Sequence, residues 1–286
     1  MIAVTGATGE VGGRVARRLA ERGAPLRLVV RDAARAPEID GAEVAGGAQY
    51  ADGDAMLRAL EGVDTLLLVS AGEALDRVDQ HRSAIDAAVR AGVERIVYLS
   101  FLGCAADATF TFARDHFHTE RHVRSSGVRW TFLRDSIYMD FIPLFAGEDG
   151  VIRGPADDGR VAAVARDDVA DVAAVVLTED GHDGATHDLT GPEAFTLAEA
   201  AEELSRATGG PVRFVNETLD EARASRAPSG APDWVIEGWV TTYAAIAAGE
   251  LDVTTDAVER LTGRRPRSLA DFLREHPESC RHLRQA

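Results

Sequence analysis

Ile2-Ala3-Val4-Thr5-Gly6-Ala7-Thr8-Gly9-Glu10-Val11-Gly12 constrains the fold of this chain more than any other segment. A short apolar run of β type enters it, and Val11, Val15 and Leu19 leave it at helical spacing. Gly6, Gly9 and Gly12 therefore set G-x-x-G-x-x-G at a strand-to-helix turn. The first glycine suits the sharp bend, the second lets backbone approach a diphosphate, and the third lets the helix pack closely on the strand. The helix N-terminus adds unpaired N–H groups and partial positive charge. The pattern predicts a dinucleotide cradle built from Gly6, Ala7, Thr8, Gly9, Glu10, Val11 and Gly12. The plainer alternative is a tight turn with no ligand.

Composition narrows the function classes. The formal net charge of -16 repels nucleic acid, so no nucleic-acid partner is expected. No apolar run approaches the roughly 20 residues that span a bilayer, so no membrane partner is expected either. Strand and glycine loop already occupy the first residues, which leaves no room for a signal or transit peptide. Cys104 and Cys280 are too few for a disulfide framework and suit a reducing cytoplasm. Cys104 reads as an inert loop cysteine rather than a reactive thiol. All 31 basic residues are arginine. A mechanism that needs a lysine is excluded, and arginine cannot replace it as a proton donor.

Leu26 to Val30 reads as a second strand. An NAD-specific fold would place an acid at its end, for the ribose 2′-hydroxyl. Arg31 stands there instead, with Asp32 behind it and Arg35 four positions on. Guanidinium forks suit a 2′-phosphate, so NADP(H) is expected in preference to NAD(H). The alternative is that both arginines are simply solvated. Val63 to Val69 is an apolar run ending in Ser70-Ala71-Gly72, and Ile96 to Leu99 is another, ending at Ser100. Strands alternating with helices predict an α/β fold, a Rossmann-type doubly wound parallel sheet. Its strand ends bring Gly6, Arg31, Val69, Ser70 and Ser100 to the ligand side.

One domain is expected over residues 1–286, with about 1–140 as the cofactor-binding core. Residues of about 141–286 are mixed and too broken for a separate sheet, and should form a small C-terminal α/β lobe covering the cleft. Val161-Ala162-Ala163-Val164 opens a stretch that becomes an alanine- and valine-rich helix up to Leu177, a short strand is expected at Val212–Val215, and a capping box at Thr196–Glu199. Phe141, Phe145, Trp234, Trp239 and Tyr243 are candidate apolar walls, though each taken singly reads more readily as plain core. A helix from about Ala113 to Ser126 carries His116, His118 and His122. His118 and His122 share a face, but Thr119 stands where a zinc-protease motif needs glutamate, so no metal site is expected. His116 is the histidine suited to facing a pocket.

Taken together, these residues resemble the atypical short-chain dehydrogenase/reductase superfamily, in its NmrA-like, quinone oxidoreductase-like branch. The likeness rests on Thr5 to Gly12 and on Val30-Arg31-Asp32 with Arg35. It continues through His116-x-x-Thr119-Glu120, Ser126-Gly127, Thr131-Phe132-Leu133-Arg134 and Tyr138. Arg166-Asp167-Asp168-Val169-Ala170, Leu189 to Pro192 and Leu261 to Arg264 extend it over nearly the whole chain. The departures are equally informative. The usual Y-x-x-x-K pair is impossible here, Asp115 stands where the quinone reductases have lysine, and Phe141 follows Asp140 in place of an asparagine.

The resemblance implies an NADPH-dependent oxidoreductase acting on a small molecule, a quinone or a similar flat electrophile. Tyr138, His116 and Ser100 are its candidate catalytic residues, with His116 and Ser100 also near the cofactor. Two other readings are an NADP(H)-binding redox sensor acting through a regulatory protein partner, and a carbonyl or nucleotide-sugar enzyme. A homodimer is a further expectation.

Overall fold

A computed structural model of the protein describes residues 1–284, which fall into two compact units. The first takes Met1–Ala106, Asp115–Arg134 and Asp167–Asp188. The second takes Asp107–Arg114, Asp135–Arg166 and the chain from Leu189 onward. In chain order the structure opens with β1 (Ile2–Thr5), α1 (Glu10–Glu21), β2 (Leu26–Val29), β3 (Glu43–Ala45), α2 (Gly53–Leu60) and β4 (Thr65–Leu68). Next come α3 (Arg77–Arg90), β5 (Arg95–Phe101), α4 (Thr111–Ser125), β6 (Arg129–Asp135), β7 (Val151–Gly154) and β8 (Arg160–Val161). Then follow α5 (Arg166–Thr178), β9 (Ala185–Leu189), β10 (Phe195–Thr196), α6 (Leu197–Thr208) and β11 (Arg213–Asn216). The last are α7 (Leu219–Arg226), α8 (Asp233–Ala247), α9 (Ala257–Thr262) and α10 (Leu269–Glu275).

The first unit is organised by a seven-stranded sheet in the order β3-β2-β1-β4-β5-β6-β9. The pairings from β3 through β5 are parallel. Strand order reverses beside β1 and β4, the switch point at which Rossmann-type sheets bind nucleotides. Central strands covered on both faces carry no alternation, which explains the unbroken runs Leu66-Leu67-Leu68 and Ile96 to Leu99, all buried. Met56 and Leu60 of α2 and Ile85 of α3 pack on Leu66, Leu68, Tyr98 and Phe132 in one apolar cluster.

The edge strand β3 carries no sequence signal. Glu43 and Val44 are exposed and Ala45 half-buried, so neither an apolar run nor a buried alternating face marks it.

The second unit corrects the expectation that the later chain forms no sheet of its own. β7 pairs in parallel with β11, and β8 pairs antiparallel with β10. The strand expected at Val212–Val215 forms as β11, shifted by one residue, whereas β7 holds Arg153 and Gly154 and β10 is two residues long, so no apolar stretch announces those two. Helix α6 packs on β11, α10 packs on α6, and α7 packs on α8. β8 is only Arg160–Val161, and beyond it Val164 makes an isolated bridge to Tyr138. The capping box on α6 forms as the sequence requires, with Thr196 and Glu199 exchanging side-chain-to-backbone bonds. Among the described residues, no helix is long and apolar enough to cross a membrane.

Candidate cofactor and active site

The glycine turn is built as its spacing demands. Gly6 sits at φ +62°, and Gly9 N–H donates to its carbonyl at 2.9 Å. A Cβ on Gly12 would stand 2.3 Å from Gly6 O and 2.9 Å from Thr5 O, so α1 packs directly on strand backbone. On Gly9 it would meet Gly6 O at 3.2 Å. Gly9 caps α1 without any side-chain hydrogen bond, which leaves the first amides of the helix for an anion. Ala7 and Val11 are buried, whereas Thr8, Gly9 and Glu10 are exposed. This backbone cradle fits the diphosphate of a dinucleotide.

Val69 is held beside the turn. The Thr5 hydroxyl donates to Leu67 O at 3.0 Å and accepts from Val69 N–H at 2.9 Å, tying β1 to the end of β4. Tyr50 Oη lies 2.6 Å from Val69 O. Ser70 is half-buried one residue on, while Arg31 and Arg35 are exposed just beyond β2. Among the described residues neither guanidinium has an ion-pair partner, so both are available to phosphate.

The other two candidates in this unit are committed to internal bonds. Ser100 is 1% exposed and donates to Glu120 Oε1 at 2.7 Å. Glu120 is itself fully buried and bound at 2.7 Å by both Nε and Nη2 of Arg134, with Arg124 at 3.1 Å. Burial alone would raise the Glu120 carboxyl, but Arg134 and Ser100 hold it below the usual range. Burial and Glu120 push the Cys104 thiol up to about 12, so it stays protonated. His116 Nε2 faces Arg77 Nη2 at 3.3 Å. Arginine has only protons to give, so the histidine proton sits on Nδ1, donated to Tyr98 Oη at 2.9 Å. Burial, then the charge of Arg77, hold His116 well below its ordinary pKa.

Tyr138 belongs to the second unit. Its hydroxyl donates to Asp135 Oδ2 at 2.6 Å, and the Arg166 guanidinium lies 4.8 Å from its ring centroid. Arg166 also covers Phe141 at 4.8 Å and pairs with Asp140 at 3.1 Å. Burial and the Asp135 carboxylate push the Tyr138 hydroxyl well above its ordinary pKa. Of the candidate walls, Phe141 and Trp239 are each 41% exposed. Phe145 packs on buried Tyr243 at 5.0 Å, and Trp234 on Phe112 at 6.0 Å. His118 is exposed, and His122 bonds Asp86 at 2.7 Å. Among the described residues no three His, Cys, Asp or Glu side chains gather to hold a metal ion.

Sequence reasoning passed over Arg77, His81, Tyr50 and Asp135. A lone arginine or histidine on a helix normally reads as surface. Only the spacing of Arg77 and His81, one turn apart on α3, signals a shared face.

A seven-stranded sheet of this order, with an uncapped glycine turn at its switch point, defines a dinucleotide-binding α/β protein. The NAD(P)H-binding family matches residues 6–180, and the chain belongs to that family, within the atypical short-chain dehydrogenases/reductases. It is 38% identical over 98% of its length, and 99% of the relative's, to a (4-alkanoyl-5-oxo-2,5-dihydrofuran-3-yl)methyl phosphate reductase from Streptomyces griseus. It is 34% identical, over 96% of the chain and 98% of the relative, to an NAD(P)H azoreductase from Xenophilus azovorans. A solved NADPH-dependent quinone oxidoreductase from Escherichia coli, complexed with NADPH, superposes with TM-score 0.89 at 33% identity. That match covers 96% of this chain and 99% of the other. The protein is an oxidoreductase.

Proposed function

We propose that this protein uses NADPH to reduce quinones or similarly flat, electron-poor acceptors. The amides of Gly6 to Gly12 and the N-terminus of α1 would hold the diphosphate, Arg31 and Arg35 the 2′-phosphate, and Val69 and Ser70 would border the dinucleotide. Bound there, the cofactor supplies a hydride.

The observation that carries the substrate class is the absence of a strong acid among the candidates. Ser100 gives its proton to Glu120, and neutral His116 gives its proton to Tyr98. Tyr138 holds its proton and donates it in a hydrogen bond to Asp135, and the chain has no lysine. An acceptor handled by these residues must therefore need little acid assistance. Quinones meet that condition, because reduction ends in an aromatic, delocalised anion that water can protonate; a simple ketone, ending in an alkoxide, does not. Positioning of the acceptor against the nicotinamide would then supply most of what the protein adds. Tyr138 serves in this reading as a hydrogen-bonding group, while His116 and Ser100 support the site from inside. The relatives named for azo and quinone reduction support the same class. Two free cysteines suit a reducing compartment, and we assign the enzyme to the cytoplasm.

The test is NADPH oxidation against a panel of quinones, with an azo dye and a simple ketone for contrast. Acceleration by at least one quinone and none by the ketone is expected. No acceleration by any quinone would sink the reading, and tight NADPH binding without turnover would favour a redox sensor instead.

A further inference from the structure

His116 and Thr119 stand one turn apart on α4, and Arg77 and His81 one turn apart on α3. The two pairs meet in register. Arg77 Nη2 reaches His116 Nε2 at 3.3 Å, and His81 Nδ1 reaches Thr119 Oγ1 at 2.8 Å. Exposure is 4% for Arg77, 6% for His116 and zero for His81 and Thr119.

The hydrogen positions follow from the partners. Thr119 donates its single hydroxyl proton to Asp115 O at 2.8 Å, so it must accept from His81 Nδ1–H. His81 Nε2 is then unprotonated and accepts from Ala71 N–H at 2.9 Å. Arg77 Nε donates to Ala71 O, also at 2.9 Å. Both polar groups of one residue in the β4–α3 loop are thus held by buried side chains. Burial, then the charge of Arg77, take His81 down to about 3, which keeps it an acceptor at neutral pH. The loop beyond is exposed at Gly72, Glu73 and Asp76, with Leu75 83% exposed.

Burying four polar side chains is costly unless each is bonded, and the apolar core of this unit has no use for them. What they share is the Ala71 peptide. We propose that Thr119 and His116 are positioning residues that, through His81 and Arg77, hold the Ser70–Asp76 loop in the conformation that borders the dinucleotide. The inference rests on Ser70 bordering the cofactor, as read above. It gives the H-x-x-T spacing a role in posture rather than proton transfer.

The test pairs NADPH titration of the full chain with amide hydrogen exchange at residues 70–76 of the cofactor-free protein. Thr119→Val keeps the shape and removes the oxygen, freeing the imidazole to turn an N–H toward Ala71 N–H. The Kd for NADPH should rise about tenfold, with faster exchange at Ala71 by a similar factor. Thr119→Ser should restore both. His81→Gln keeps an acceptor at the Nε2 position and should bind nearly as wild type, whereas His81→Asn should behave like Thr119→Val. If Thr119→Val does not fold, the two His81 variants carry the same contrast.

Unchanged exchange at Ala71 overturns the clamp. So does an unchanged Kd in Thr119→Val and His81→Asn while Arg31→Ala weakens binding, and in that case the cofactor reading stands. Failure of the wild-type chain to bind NADPH removes both.

Discussion

The two units bury polar groups to different extents: the second buries Asp135, Ser136, Thr190 and Thr241, the first a larger set that includes Arg77, His81, His116 and Glu120. In the first, Thr5, Arg77, His81, Ser100, His116, Thr119 and Glu120 are all buried, and each is bonded to a strand end, a loop peptide or another buried side chain. In the second, Phe141 and Trp239 are each 41% exposed, and the Arg166 guanidinium lies over the rings of both Phe141 and half-buried Tyr138. Residue types that suggest catalysis serve posture in the nucleotide-binding unit, because a polar group taken from water must be satisfied before it can do anything else. The partly exposed rings of the second unit offer contact area rather than protons.

The sharpest way to break this comparison is a pair of glycine substitutions. A Cβ on Gly12 would stand 2.3 Å from Gly6 O, and one on Gly154 would stand 2.3 Å from the Tyr243 ring. Gly12→Ala and Gly154→Ala should each cost up to about 3 kcal/mol of stability by overpacking. Only Gly12→Ala should also abolish NADPH binding, by more than about 100-fold, because it moves the anion-binding turn. Urea unfolding and a cofactor titration on both variants decide it. Equal loss of binding would mean that the cradle is not confined to the first unit.

Glu120→Ala should come next, at about 3 kcal/mol, because it strands the Arg134 guanidinium and the Ser100 hydroxyl. The folded carboxyl sits below its unfolded value, so its stabilisation is present above the unfolded pKa and disappears as pH falls through the folded one. Wild type should therefore lose stability below about pH 4, and Glu120→Gln should flatten that acid limb in urea unfolding at a series of pH values.

The sheet of the first unit was legible because its strands are covered on both faces and read as apolar runs, and because glycine spacing marks the turn. What escaped was whatever lacks a periodic apolar signal. β3 is three residues at an exposed edge, and β7 carries Arg153 and Gly154 within four residues, whereas β11 was legible at Val212–Val215. The candidate site was legible as a set of residue types, but not in its hydrogen bonding. That Ser100 turns to Glu120, or that His116 accepts from Arg77, depends on α3, α4 and β6 meeting, and no local spacing encodes it.

Arg31→Ala sharpens the comparison at the cofactor end. Removing a charged partner of a phosphate should cost about 1.5–3 kcal/mol, or 10- to 100-fold in NADPH affinity. NADH has no 2′-phosphate, and its affinity should change by less than about twofold, within the weak reach of an exposed charge. Parallel titrations with both nucleotides measure the difference. Equal weakening would reassign Arg31 to general steering.

Tyr138→Phe should have the smallest effect. The variant keeps the ring beneath Arg166, 4.8 Å from the guanidinium, and loses only the bond to Asp135. Stability should fall by about 1 kcal/mol, the net worth of a side-chain hydrogen bond. If water protonates the reduced acceptor, kcat with a quinone should drop less than about tenfold, short of the 100-fold or more that losing a general acid brings. The pH profile should also keep its shape, since the Tyr138 hydroxyl titrates well above neutrality. Steady-state rates and a solvent isotope effect separate the outcomes. A loss beyond 100-fold with an altered isotope effect would make Tyr138 the proton donor, and the second unit would then contribute chemistry as well as surface.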